Sequence, residues 1–249
     1  SMLFTEIELI DRFAAAKQAG FNAVEIQFPY ALPAQTIVEK LRENALRLVL
    51  FNIDAGDLLQ GGEGLASVPE QRERFKAALV QALTYAVALK PHAVNILPGR
   101  CLNPDQRSAY LETLKANLLL AADALADLDV KAVFEAINTF DMPGFLIHSH
   151  EQMLGLLQDL AHPNLFLQYD IYHMARMGED CAAFIKNHAD QMGHVQFADV
   201  PGRGQPGTGN INFDDLFQTV EHSGYTGWCG AEYKPSGRTC ESLAWLTAG

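Results

Sequence analysis

The chain has 249 residues, 49% of them apolar, and 18 Lys and Arg stand against 30 Asp and Glu for a net charge of −12. That balance excludes a phosphate-tracking protein, which needs clustered basic side chains to displace counterions. A small anionic substrate is still allowed, because one local Arg or Lys overrules the global field. No apolar run reaches the roughly 18 to 20 residues that span a bilayer. The opening SMLFTEIELIDRF has acids and no basic region, so neither a signal peptide nor a membrane partner is expected.

In chain order, a helix over 5–19 leads into a strand, NAVEIQ from Asn22, and a helix over 33–46 into RLVLFNI from Arg47. A helix over 70–90 precedes AVNILPG from Ala93, and one over 104–127 precedes KAVFEAIN from Lys131. Helix 149–161, LFLQYDI from Leu165, helix 178–190, GHVQFADV from Gly193, helix 212–223 and WCGAEYK from Trp228 follow, with a short helix near 238–247. Repeated βα units imply a parallel sheet with helices outside. The length is typical of one closed (β/α)8 TIM barrel, so 1–249 is read as a single domain of that kind. Seven strands are visible where such a barrel wants eight. The opening SML is therefore read as the tail of a first strand that begins outside this numbering. After RLVLFNI, the stretch DAGDLLQGGEGLASVPEQ is long and Gly-rich, as functional lids and ordinary variable loops both are. Cys101, Cys181, Cys229 and Cys240 form no CxxC pair; reduced, mostly buried thiols in a cytoplasm are expected.

Active sites of (β/α)8 barrels lie at the C-terminal strand ends. VFEAIN presents Glu135 there, LQYD presents Asp170, HVQFAD presents Gln196 and GAEYKP presents Glu232. Each alone suits a buried polar residue satisfied by its neighbours. Together, three carboxylates and an amide oxygen would repel without a cation, and hard oxygen ligands select Mg²⁺ or Mn²⁺ over zinc. These four are the candidate metal ligands. His173, three residues beyond Asp170, is expected too far around the turn to ligate. It is read as a hydrogen-bond donor or acceptor to substrate, with a structural histidine as the alternative.

The runs EAIN, QYDIYHM, GHVQFAD, PGRGQPGTGNINFDDLF and GWCGAEYKP resemble the hydroxypyruvate isomerase family within the xylose-isomerase-like barrels. The resemblance covers nearly the whole chain. It implies metal positions at Glu135, Asp170, Gln196 and Glu232, with Glu135 and Glu232 as the acid/base pair. It further implies interconversion of hydroxypyruvate and 2-hydroxy-3-oxopropanoate by metal-assisted proton transfer through an enediolate. Arg203 or Lys234 would then bind the substrate carboxylate, Arg203 with the better bidentate geometry. Related sugar epimerases usually carry His where Gln196 stands, and close relatives often show His at Phe51 and Glu at Gln205.

Three other motifs are weighed and set aside. GRGQPG from Gly202 fits GxGxxG, but prolines flank or interrupt it and the only acid about 20 residues on, Glu221, lies within a helix, so a substrate-covering loop is the better reading. His148 and His150 open a helix and are read as solvated or capping residues. Asn95 and Arg100 are weak candidates for the edge of the site. Competing functions are a 2-oxo-tetronate isomerase, a sugar 3-epimerase, a barrel endonuclease with more His ligands and a basic face, and a non-catalytic sugar-acid binder. A homo-oligomer is compatible with all of them.

Overall fold

The computed structural model describes residues 2–247. The chain runs α1 (Leu9–Gln18), β1 (Ala23–Ile26), α2 (Ala34–Glu43), β2 (Arg47–Asn52), α3 (Arg72–Leu89), β3 (Ala93–Ile96), α4 (Arg107–Ala126) and β4 (Lys131–Glu135). It continues with α5 (His150–Leu160), β5 (Leu165–Asp170), α6 (Ile171–Arg176), α7 (Cys181–His188), β6 (Met192–Phe197), α8 (Phe213–His222) and β7 (Cys229–Ala231). The seven strands are parallel and pair in chain order, β1 to β7, as a nearly closed barrel surrounded by helices.

Strand periodicity divides the interior. Outward residues such as Val94, Ile96, Phe134, Leu167, Tyr169, Val195 and Phe197 pack with the helices in the main core. Within the barrel, Ala93, Val133 and Leu50 pack as a separate apolar cluster with Ala23, Phe166 and Trp228. Two residues farther along the strands from these lie Glu25, Asn52, Asn95, Glu135 and Gln168, because every second side chain shares a face. The lower barrel is thus apolar and the upper barrel polar. Nearly continuous burial along β3 and β6 is what a parallel strand covered on both faces requires.

Four sequence expectations change. Ser1 lies outside the described residues, Met2 belongs to no strand, and Leu3 already begins a turn. That turn is tied to the chain's other end, where the Phe4 N–H donates to Thr239 Oγ1 at 2.7 Å. The sheet is open between β1 and β7, along a largely apolar groove of about 320 Å³ lined by Phe13, Phe21, Trp228 and Trp245 among others. The strand from Leu165 stops at Asp170, and the short helix α6, absent from the sequence reading, follows at once. The segment 238–247 forms two 3₁₀ turns, Thr239–Ser242 and Ala244–Thr247, rather than one helix. All four cysteines are free, but Cys101 alone is buried, and Cys229 and Cys240 are exposed. Among the described residues, no helix is long and apolar enough to cross a membrane.

Candidate metal-binding active site

Glu135 and Asp170 end β4 and β5, Gln196 is the penultimate residue of β6, and Glu232 directly follows β7. Register places Glu135 beside Gln168 and Asp170 beside Gln196. Glu135, Gln196 and Glu232 line one cavity of about 60 Å³, with Gln27, Asn52, His173 and Arg203. Asp170 abuts it, since Arg203 Nη2 lies 3.4 Å from Asp170 Oδ2 and 2.7 Å from Glu232 Oε2. The four sequence-derived candidates therefore converge, all of them at most 5% exposed.

Their hydrogen bonds are specific. Glu135 Oε2 accepts from Asn95 Nδ2 at 3.1 Å and from Gln168 Nε2 at 2.8 Å. The same Gln168 nitrogen donates to Gln196 Oε1 at 2.7 Å. Glu232 Oε1 accepts from Gln27 Nε2 at 2.9 Å. Burial, and then the charges of Asp170 and Glu232, push the Glu135 carboxyl well above its usual range. Burial likewise pushes Asp170 up to about 7, Arg203 opposing and Glu232 adding to the effect. Three buried carboxylates face one guanidinium. Buried charge is stable only when paired, so this hard-oxygen set fits a divalent cation.

Arg203 sits at φ 55° in the loop between β6 and α8. Asp199 organises that loop, accepting backbone N–H groups from Gly207, Gly209 and Ile211 at 2.8 to 3.0 Å. The guanidinium lies 5.0 Å from the Tyr172 ring centre. Lys234 is exposed; its link here is a backbone N–H donated to the Arg203 carbonyl at 2.7 Å.

His173 comes closer than its sequence separation suggested. Asp170 is the N-cap of α6, its Oδ1 accepting from the Tyr172 N–H at 2.9 Å, and the first helical turn swings His173 back over it. Its Nε2 lies 3.5 Å from Asp170 Oδ2 and 3.8 Å from Glu135 Oε1, and these three residues could share a metal ion. The proton assignment argues otherwise. Asn138 Oδ1 accepts from the N–H groups of Phe140 and Asp141, so its amide nitrogen must face His173 Nδ1, 2.7 Å away. Burial and then Arg203 hold the imidazole pKa well below its usual value, so the ring is neutral. With Nδ1 accepting, the proton sits on Nε2, which makes Nε2 a donor toward the cavity rather than a ligand.

Sequence reasoning missed Glu25. Its carboxylate crosses from β1 to β6, where Oε1 pairs with His194 Nε2 and Oε2 accepts from Gln196 Nε2 at 2.7 Å. Burial opposes its charge, but His194 and these hydrogen bonds outweigh it and hold the carboxyl below its usual range. Gly230 makes the room: a Cβ there would lie 1.7 Å from Glu25 Oε1. The available signal was Glu25 and Gln27 on one face of an otherwise apolar strand.

The remaining candidates divide. Asn95 belongs to the site, whereas Arg100 staples the long Gly-rich loop, donating to the Gly61 carbonyl at 2.8 Å and the Pro143 carbonyl at 2.7 Å. His150 is neither solvated nor a cap: it stacks on Phe184 and bonds Tyr169, while Ser149 caps α5. Phe51 points outward into the main core, and its inward neighbour Asn52 faces the site. Gln205 bonds Ser236 in the exposed part of its loop.

An open-ended parallel barrel with a carboxylate-rich site at the C-terminal strand ends defines a class. The chain belongs to the xylose isomerase-like TIM barrel family, whose model matches residues 13–249. It is 41% identical over 246 residues to the hydroxypyruvate isomerase of Escherichia coli K12, covering 99% of this chain and 95% of that one. It is 37% identical to the 2-oxo-tetronate isomerase of Pectobacterium atrosepticum, covering 98% and 94%. Among solved structures, a Brucella melitensis protein described as an AP endonuclease of family 2 superposes with a TM-score of 0.95 at 36% identity, covering 99% and 95%.

Proposed function

We propose that this chain is an isomerase of small hydroxy-keto acids, interconverting hydroxypyruvate and 2-hydroxy-3-oxopropanoate. The observation that carries this reading is Glu135 and Glu232 lining one small cavity from strands separated by two others, with a cationic side chain beside them. The names of the two similar isomerases support it. One glutamate removes a proton from the hydroxymethyl carbon, leaving the electron pair in an enediolate across two carbons. The hydroxyl proton passes from the former hydroxymethyl oxygen to the former carbonyl oxygen, and the other glutamate delivers a proton to the former carbonyl carbon, which completes the exchange without any external oxidant. Arg203 pairs with the substrate carboxylate, and the His173 Nε2–H donates to a substrate oxygen. Lys234, two residues beyond Glu232 in the chain, is the second candidate cation for the substrate carboxylate. Glu135, Asp170, Gln196 and Glu232 would hold Mg²⁺ or Mn²⁺, which when bound stabilises the negative charge developing on the substrate oxygens.

A cavity of about 60 Å³ whose lining includes Phe28, Leu59, Leu97, Ile137 and Met142 favours a three-carbon acid over a hexose. The strongly acidic chain disfavours an endonuclease. Mn²⁺-loaded protein should be incubated in D₂O with hydroxypyruvate, 2-oxo-tetronates, free ketoses and abasic DNA, and the products followed by NMR and gel. Fastest turnover of hydroxypyruvate, with deuterium on the product carbon, is the expected result. Failure to isomerise either keto acid would overturn the reading; turnover without solvent deuterium would replace proton transfer with a hydride shift.

A further inference from the structure

We propose that Glu25 is a positioning residue that fixes which end of the Gln196 amide faces the metal-binding cavity. The inference rests on the reading of Gln196 as a metal ligand. A primary amide is nearly symmetric in shape, but only its oxygen ligates a hard cation. A carboxylate can only accept, so Glu25 Oε2, 2.7 Å from Gln196 Nε2, takes the NH₂ end and leaves Oε1 to the Gln168 Nε2 that also bonds Glu135. His194, fully buried on the same strand face as Gln196, occupies the other Glu25 oxygen and sets the carboxylate's own orientation.

The arrangement is built across the barrel. Glu25 comes from β1 and its partners from β6, with Gly230 on β7 leaving the passage open. A charge enclosed here is costly unless paired. A neutral glutamine at position 25 would fill similar space but could offer Gln196 either its donor or its acceptor, so the amide would lose the charge-assisted one of the two bonds that fix its sense and keep only the one from Gln168.

Partners that orient a ligand typically change metal affinity 10–100-fold when removed. Mn²⁺ affinity should be measured by electron paramagnetic resonance and calorimetry, with circular dichroism confirming the fold. Glu25→Gln is expected to weaken binding about tenfold or more. Gly230→Ala, which pushes the flexible end of Glu25 aside while keeping its charge, should weaken it in the same direction. Exchanging the pair, Glu25→Gln with Gln196→Glu, should restore most of the loss, because a carboxylate at 196 offers oxygen whichever way it turns and the net charge is unchanged. Parent-like affinity in Glu25→Gln, or an exchange variant no better than it, would overturn the inference while leaving the metal site standing. Parent protein that binds no Mn²⁺ would overturn the metal reading and this inference with it.

Discussion

Replacing Asp170 with Asn should make chelator-treated protein more stable, by an amount that depends on pH. The carboxyl is buried, with its pKa raised from 3.8 to about 7. As pH rises through that window the unfolded chain releases the proton first, so the parent loses stability, and the full loss is present above pH 7. At about 1.4 kcal/mol per tenfold change in proton affinity, the cost is about 4 kcal/mol at pH 8 and only about 1 kcal/mol at pH 4.5. Asn cannot ionise, and its side-chain oxygen can still cap α6 at the Tyr172 N–H. Denaturant unfolding at the two pH values measures both gains, and at pH 8 the melting temperature should rise by roughly 10 °C for a chain of this size. A variant no more stable than the parent at pH 8, or equally improved at both pH values, would refute the conflict among these carboxylates. Metal affinity should move the opposite way, falling as a ligand is lost.

At saturating Mn²⁺, Glu135→Gln and Glu232→Gln should each reduce turnover of hydroxypyruvate by roughly a hundredfold or more, the usual loss for a general acid or base. Steady-state rates, checked against Mn²⁺ occupancy, test this, and near-parent activity in both would remove the acid/base assignment. Arg203→Lys should raise KM for hydroxypyruvate, since Lys keeps the charge but loses the planar fork that pairs with a carboxylate. An unchanged KM would take Arg203 out of substrate binding.

Glu135, Asp170, Gln196 and Glu232 were legible because each interrupts or ends an apolar run at the strand end where barrel sites form. Glu25 and Gln168 were not. A polar residue alternating with apolar ones in a strand reads equally well as solvent-facing, and only closure of the sheet makes both faces interior. The reach of His173 depended on α6, whose sequence IYHMAR is as apolar as the strand before it; no hydrophobic period separates the two. Its tautomer depends on Asn138, 35 residues away. Arg203 was visible as a cation, but its position comes from a loop gathered around Asp199, a pattern of long-range N–H groups that local sequence does not encode. Seven strands and their order followed from periodicity. The turn at residues 3–6 follows from a contact with Thr239, which local pattern cannot reveal.

The seam between β1 and β7 gives the site a second consequence. Backbone hydrogen bonds do not join these edges, yet β1 reaches over the gap with side chains: Glu25 to His194 and Gln196, and Gln27 to Glu232. Two of the groups that hold the seam are therefore the groups proposed to hold the ion. Whatever orders Gln196 and Glu232 also restrains their partners on β1, so occupancy and barrel closure are thermodynamically linked. Amide hydrogen exchange should report it. Protection would be greatest in β4, at the middle of the sheet, and lowest toward β1 and β7, where it would rise on addition of Mn²⁺ while β4 changed little.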